Sequence, residues 1–186
     1  MEFVFLAAVA GLVLYGIIVY NQLVKSRQMV REGWSGISVQ LQRRSDLIPN
    51  LVEAVKGYMG HEKEVLENVT ALRARAQAVG DDHPAERAGI ESMLGAALGR
   101  LLAIAENYPD LKASSNFLEF QEALEETEDK LQLSRRYYNG AVRQYNTQVE
   151  QFPSNVIAGQ FKFIEAEYFE LDDPSDAAAP SVSFGS

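Results

Sequence analysis

The sequence predicts an all-α protein: an N-terminal transmembrane helix followed by an antiparallel up-and-down helical bundle of four helices, with three helices as the alternative. Three observations predict this class. An uncharged apolar run opens the chain, apolar residues then recur at alternating steps of three and four, and clusters of Gly, Pro and Asn separate the periodic segments. Hydrophobic residues make up 47% of the chain, which is enough to build a packed core.

Residues 1–24 are predicted to form a transmembrane anchor. The run Phe3–Tyr20 contains eighteen residues without a charge, and at about 1.5 Å per residue it spans about 27 Å, close to the hydrocarbon thickness of a bilayer. A cleaved signal peptide is disfavoured, because only Met1 and Glu2 precede the run and no small-residue cleavage site follows it. A buried core helix is the other alternative, but the run is longer than such a helix needs.

Basic residues follow the apolar run directly, at Lys25, Arg27 and Arg31, and none precedes it. Positive charge beside a membrane span tends to stay on the cytoplasmic side. We therefore expect a single-pass protein with its N-terminus outside and its helical domain in the cytoplasm.

Residues 25–158 are predicted to form the bundle. Helical spacing predicts a first helix from about Asn21 to Met59, a second near His61–Val79, a third near Pro84–Glu106 and a last helix over Ser115–Phe152. Short connections between helices favour antiparallel neighbours.

The first predicted helix contains two disruptive features. Pro49 lies inside it and is expected to kink it, because proline removes a backbone donor. Gly57 and Gly60 are expected to break it. In the three-helix alternative this helix stays continuous to Val79.

Residues 159–171 are predicted to form an extended aromatic arm that packs on a bundle, its own or a neighbour's. The aromatic residues of this segment lack helical spacing; they are Phe161, Phe163, Tyr168 and Phe169. Residues 172–186 are acidic and rich in Ala, Ser and Pro, which predicts a disordered tail.

Composition excludes several classes of function. The net charge is −9 and the isoelectric point is about 4.8, so the protein repels phosphate backbones and no nucleic-acid partner is expected. The absence of cysteine excludes disulfides and thiolate chemistry. The many carboxylates fall on exposed faces of the predicted helices, and no glycine-rich phosphate loop is present. We expect no catalytic, cofactor-binding or metal-binding residues, and hence no enzyme.

The densest polar cluster contains Arg43, Arg44 and Asp46. One interpretation is a site for an acidic partner. The alternative is internal, because the last predicted helix is strongly acidic over residues 119–129, and an antiparallel bundle places the start of this stretch beside residues 43–63. Pairing within the bundle or between subunits is the favoured interpretation.

His61 and Glu62 resemble the start of a zinc-protease helix. That motif requires a second histidine four residues after the first, and Val65 occupies the position. A zinc site is therefore not predicted, and His61 is expected to cap or line the helix break.

Trp34 is flanked by Gly33 and Gly36 and is a further candidate interaction residue, as are the four aromatic residues of the arm. Large aromatic side chains carry much of the binding energy of interfaces. Trp34 also falls on the apolar series of the first helix, so a core position is favoured.

Short blocks spread along the chain carry a family resemblance: residues 21–24 with Arg27, 34–35, 39–41, 43–52, 56–58, 61–63, 106–113, 127–128, 138–139, 145–146, 152–153 and 168–170. Through these blocks the sequence resembles the LemA family of bacterial membrane-anchored proteins from about residue 3 to residue 171. This resemblance implies an anchored antiparallel helical bundle of the bacterial inner membrane with no established catalytic activity. Members look like scaffolds or adaptors at the envelope. Gly33 departs from the family pattern, in which alanine is usual before the tryptophan.

We therefore expect a non-catalytic helical scaffold that self-associates. Anchors confined to one bilayer are concentrated locally, and the stripes and the arm offer more apolar surface than one small bundle needs. The expected partners are the lipid bilayer and further copies of the chain. One alternative is an adaptor that recruits a membrane protein, such as an envelope protease or stress sensor, through residues 43–63. Another is a membrane-remodelling assembly that imposes curvature.

Overall fold

A computed structural model describes residues 1–58, 62–80 and 83–171, and all regular secondary structure within these ranges is helical. The predicted all-α class is thereby confirmed. The described helices are α1 (Glu2–Lys56), α2 (Lys63–Ala78), α3 (Pro84–Ala105), α4 (Pro109–Lys112), α5 (Ser115–Glu150) and α6 (Ser154–Gln160).

Helix α1 joins the apolar run to the rest of the chain without a break. The expected anchor and the expected first bundle helix are one continuous helix of 55 residues. Pro49 lies inside α1 with its ring exposed, and the helix continues beyond it to Lys56.

The predicted break after α1 is confirmed. Helix α1 ends at Lys56 and α2 begins at Lys63, so the three-helix alternative with a continuous first helix is wrong. The Tyr58 N–H donates to the Val55 carbonyl at 3.0 Å and closes the last turn. His61, predicted to cap or line this break, lies outside the described residues.

Three shorter segments differ from the prediction. Helix α5 ends at Glu150, two residues before the expected Phe152. Helix α6 was not predicted, and it takes residues 159 and 160 from the expected arm. The connection between the third and last predicted helices contains α4, whose Pro109 stands at the first helical turn, where a missing N–H costs nothing.

Two of the described helices are long and apolar enough to cross a membrane. In α1 the apolar window is only 6% buried, whereas the window in α3 is 39% buried. The α3 side chains Leu94, Leu98 and Leu101 lie in a hydrophobic core. Helix α1 therefore carries the apolar surface that indicates membrane association, and α3 is a core helix.

The chain divides into two compact units. The first unit contains residues 1–42 and 127–168. In it α5 runs antiparallel to α1, as contacts at successive levels show: the Ser26 hydroxyl donates to Gln148 Oε1 at 2.8 Å, and the Trp34 and Tyr138 ring centroids lie 5.6 Å apart.

The second unit contains residues 43–126 and, of the described chain, residues 169–171. In it α2 and α3 are antiparallel. The Tyr108 hydroxyl donates to Glu62 at 2.7 Å at one end of the pair, and Arg87 donates to the Val79 carbonyl at 3.1 Å at the other. One core joins α1, α2, α3, α4 and α5, and it includes Ile48, Leu51, Val55, Leu66, Val69, Leu72, Leu94, Leu98, Leu101, Leu111, Phe117, Phe120 and Leu124.

Gly33 sets the closest approach of α1 and α5 in the first unit. A Cβ atom at Gly33 would lie 3.0 Å from the Tyr138 Cα and 3.2 Å from the Tyr137 ring. Backbone atoms cannot retreat as a flexible side chain does, so a larger residue at this position must push α5 away from α1.

Gly33→Leu is expected to lower the free energy of unfolding by about 1–3 kcal/mol through overpacking. Gly89→Leu is the matched control, because Gly89 lies on an exposed face of α3 with no atom within 4 Å of its Cβ position. It should be neutral or stabilising, since leucine favours a helix more than glycine does. Thermal unfolding in detergent, followed by far-ultraviolet circular dichroism, compares the two. Equal melting temperatures for both variants would contradict the close packing at Gly33.

Candidate interaction sites

Residues 161–168 lie against α1 and α5 of the same chain in the first unit, and we call this arrangement the arm clasp. The Asn146 amide binds the Ala166 backbone reciprocally: Nδ2 donates to the Ala166 carbonyl and Oδ1 accepts from its N–H, both at 2.9 Å. The Tyr138 hydroxyl donates to the Glu167 carbonyl at 2.7 Å. Side chains of α5 thus satisfy the backbone groups of Ala166 and the Glu167 carbonyl without pairing in a sheet.

Aromatic and cationic contacts complete the arm clasp. The Tyr20 ring contacts Phe161 edge to face, with centroids 4.8 Å apart, and contacts Phe163 at 5.7 Å. The Arg27 guanidinium lies 4.9 Å from the centroid of the Phe163 ring, within range of a cation–π interaction. Arg27, one of the basic residues that follow the apolar run, therefore contacts the arm of its own chain.

Burial perturbs two tyrosines of α5. Desolvation, reinforced by the nearby Glu167 carboxylate, raises the pKa of Tyr138 to about 12. Burial also raises the pKa of Tyr145, although Arg27 and Arg31 oppose the shift. Both hydroxyls are therefore protonated donors at neutral pH, as the hydrogen bond from Tyr138 to the arm requires.

The predicted aromatic candidates divide by exposure. Phe163 and Phe169 are buried, whereas Phe161 and Tyr168 keep more than a third of their surface exposed. Trp34 is half-buried beside Tyr138. The aromatic residues that remain available to a partner are therefore Phe161 and Tyr168.

The second unit contains a buried ion cluster that joins α1 to α3. Arg44 Nη2 contacts Glu91 Oε2 at 2.5 Å, and both side chains are only 2% exposed. Arg44 also donates to the Glu91 carbonyl at 3.2 Å. The second carboxylate oxygen of Glu91 accepts from Arg87 Nε at 2.9 Å.

Arg44 corrects the surface interpretation of the predicted polar cluster. Arg43 and Asp46 are exposed, but Arg44 points into the unit, because each helical residue turns the side chain by about 100°. It contacts the buried Glu91 of α3. Glu91 was missed, although it shares the inward face of α3 with Leu94 and Leu98, where a charge signals a buried partner.

Glu62, at the start of α2, accepts the hydrogen bond from Tyr108, which lies between α3 and α4, and this bond is the largest cause of a raised Tyr108 pKa. His61, its neighbour in the predicted cluster, lies outside the described residues. Within residues 1–58, 62–80 and 83–171, no group of three His, Asp or Glu side chains lies close enough to hold a metal ion.

A groove of about 550 Å³ opens in the second unit between α1 and α5. Exposed carboxylates border it at Glu53 and Glu119, and Phe120 contributes to an apolar floor. The remaining lining residues are Leu47, Asn50, Ala54, Asn116 and Ala123. Such a groove suits a segment that is apolar and basic rather than the acidic partner expected from Arg43 and Arg44.

Glu91→Leu is expected to lower the free energy of unfolding by about 3–5 kcal/mol, because it removes the buried carboxylate that contacts both Arg44 and Arg87. The double variant Arg44→Leu with Glu91→Leu should recover most of this loss. Glu67→Leu is the control, since its partner Lys63 is exposed, and it should change stability by less than about 0.5 kcal/mol. Denaturant unfolding of the protein in detergent measures all three. A double variant as unstable as the single one would refute charge compensation as the cause.

Tyr138→Phe is expected to reduce the amount of folding stability that the protein loses at alkaline pH. The pKa of Tyr138 is about 12 in the folded protein and about 10 in the unfolded chain. Its contribution is therefore complete below pH ~10 and is lost as the pH rises toward ~12. The variant should be less stable at neutral pH, having lost the bond to Glu167, but should lose less further stability above pH ~10. Melting temperatures measured across this range would contradict the assignment if both proteins declined in parallel.

Comparison with known proteins finds relatives that align with most of this chain. The magnetosome protein MamQ 2 of Paramagnetospirillum magneticum is 27% identical over 84% of this chain and 66% of the relative. MamQ of Magnetospirillum gryphiswaldense is 25% identical, with the same two coverages. The chain thus spans just under two thirds of the length of these relatives. Protein LemA of Metamycoplasma hominis is 25% identical over 82% of this chain and 69% of the relative.

The family model described as the LemA family matches residues 33–184, which include nearly all of the described helices after the apolar run. The match covers most of the chain and includes the buried ion cluster and the arm clasp, apart from Tyr20 and Arg27. The chain therefore belongs to the LemA family.

Proposed function

We propose that this protein is a non-catalytic helical scaffold that self-associates in the bacterial inner membrane through α1. In the proposed orientation α1 crosses the bilayer with its N-terminus outside. The antiparallel bundle then lies in the cytoplasm, on the same side as Lys25 and Arg31. Both basic residues are exposed just beyond the apolar run, as the cytoplasmic side of a membrane favours.

The observation that carries self-association is an open small-residue face on α1. Ala7 and Gly11 are one turn apart, and a Cβ at Gly11 would meet nothing within 4 Å. Gly16, by contrast, is covered by Ile157 of the same chain at 3.7 Å. Small residues one turn apart let two membrane helices approach closely, and the contact between copies then supplies the dispersion energy of association.

An adaptor is the second candidate, and the groove beside Glu53 and Glu119 favours it. A partner segment with basic residues and an apolar anchor would complement that surface. The relatives named magnetosome proteins are compatible with either candidate and with a membrane-remodelling assembly. Cross-linking in native membranes separates the first two: a ladder of the protein with itself supports the scaffold, and one dominant heterologous product supports the adaptor.

Gly11→Ile is expected to reduce self-association, because the added side chain separates the helices at their closest approach. Val9→Ile is the matched control, since position 9 lies on the opposite face of α1 from Ala7 and Gly11. The mass of the full-length protein in detergent, measured by light scattering at micromolar concentration, should be multimeric for the wild type and the control and smaller for Gly11→Ile. A monomeric wild type would remove the scaffold proposal.

A further inference from the structure

Four large apolar side chains around α6 leave most of their surface exposed. Their exposed fractions lie between 57% and 82%. Such groups on a folded unit mark a surface that meets a membrane or a partner. We call them the α6 patch: Phe152, Val156, Phe161 and Ile164.

Helix α6 lies against the end of the apolar run of α1, within the first unit. The Ile157 side chain is the neighbour of Gly16, at 3.7 Å from its Cβ position, and the Phe161 ring is 4.8 Å from Tyr20. The start of α6 shares a cleft of about 80 Å³ with the same part of α1. The cleft is lined by Tyr15, Val19, Gln22, Leu23, Gln148, Gln151, Pro153 and Ser154.

These contacts fix the position of α6 along the axis of α1. Gly16 and Tyr20 are one helical turn apart, and the apolar run ends at Tyr20. Helix α6 therefore meets α1 within about 6 Å of the end of that run. When α1 crosses a bilayer, this level is where acyl chains meet headgroups, the position that aromatic rings favour.

The end of α6 adds a positive charge at the same level. The Phe163 N–H donates to the Ala158 carbonyl at 2.9 Å, and Lys162 has φ 55°, so the helix ends in a left-handed turn. Glycine is the usual residue in that conformation. Here an exposed lysine occupies the turn between two phenylalanines that both contact Tyr20. An ammonium group beside exposed apolar side chains suits a surface of anionic lipid.

We propose that the α6 patch is a membrane-interface element that inserts into the cytoplasmic leaflet beside α1, with Lys162 directed to anionic headgroups. This inference rests on the proposed crossing of the bilayer by α1. Lipid is the occupant because the patch adjoins the exposed apolar surface of α1, which lipid already covers in a crossing helix. The patch and α1 then form one continuous apolar surface.

The absence of native cysteine allows single spin labels to test this proposal. Val156→Cys reports the patch, Leu12→Cys reports the apolar run, and Leu133→Cys is the matched control. Leu133 is an equally exposed apolar residue on α5. Its neighbour Ser134 lies beside Gly36, about 24 Å along α1 from Tyr20. Full-length protein in phosphatidylcholine–phosphatidylglycerol vesicles is measured for collisions of the label with oxygen and with a water-soluble nickel chelate.

Oxygen accessibility should exceed nickel accessibility at positions 12 and 156, and the order should be reversed at position 133. Nickel accessibility at 156 equal to that at 133 would overturn the proposal while leaving the anchor intact, provided position 12 stays lipid-exposed. Nickel accessibility at position 12 would show instead that the anchor had failed. Protection of position 156 from both reagents, with dipolar broadening between labels, would identify a second copy as the occupant and overturn the lipid assignment.

The role of Lys162 is tested in the same vesicles. Lys162→Gln should raise the nickel accessibility of the label at position 156 relative to its oxygen accessibility in vesicles that contain phosphatidylglycerol. In pure phosphatidylcholine the variant should leave both accessibilities unchanged. Lys112→Gln is the matched control, because it removes the same charge from an exposed position in the second unit. Equal responses of both variants would overturn the assignment of Lys162 to anionic headgroups.

Discussion

Backbone hydrogen bonding in the apolar run is the constraint on which much of this molecule depends. Peptide groups that enter lipid find no water, so in the proposed crossing residues 3–20 must pair their N–H and C=O groups within their own helix. Helix α1 then continues without interruption to Lys56 and supplies one wall to each of the two units. In the first unit Gly33, the ring of Trp34 and the hydroxyl of Ser26 are all presented to α5 from this helix.

The two units use different physical devices to stabilise their helices. The second unit has a continuous apolar core, and its Arg44, Glu91 and Arg87 pair charge with charge inside it. A buried ion pair adds little net stability over an apolar pair but penalises every arrangement that separates its members. The first unit instead holds a segment without regular structure against two helices, using amide and hydroxyl groups that bind its backbone. Asn146 is suited to this task because its amide donates and accepts in one plane.

These features bear on function through the surfaces that they leave open. The arm clasp buries Phe163 while Phe161 stays partly exposed beside Tyr20, and α6 covers Gly16 while Gly11 stays open. Contacts within the chain therefore concentrate the available apolar surface on α1 and around α6. A scaffold that joins copies through its anchor and rests on the leaflet through α6 would use both surfaces without competition between them.

The helices were predictable from the sequence because their causes are local. The spacing of apolar residues, the glycines near position 57 and the prolines at positions 84 and 109 act within a few residues of themselves. The separation of α1 from α2 and the extents of α3 and α5 follow from them to within a few residues. The uncharged run likewise needs no partner to mark it as a span. Helix α6 was missed because seven residues carry too few turns to display a period, and its stability comes from contact with α1.

The candidate sites depended on partners far apart in the chain, and only the tertiary structure decided them. Arg44 was visible as an interruption of an apolar stripe, but no local rule could identify Glu91, 47 residues later, as a partner. The arm was expected to pack on some bundle, and the Asn146 and Tyr138 bonds show that it packs on its own. Periodicity determines which face of a helix turns inward, whereas the identity of the residue opposite depends on how separate helices are brought together.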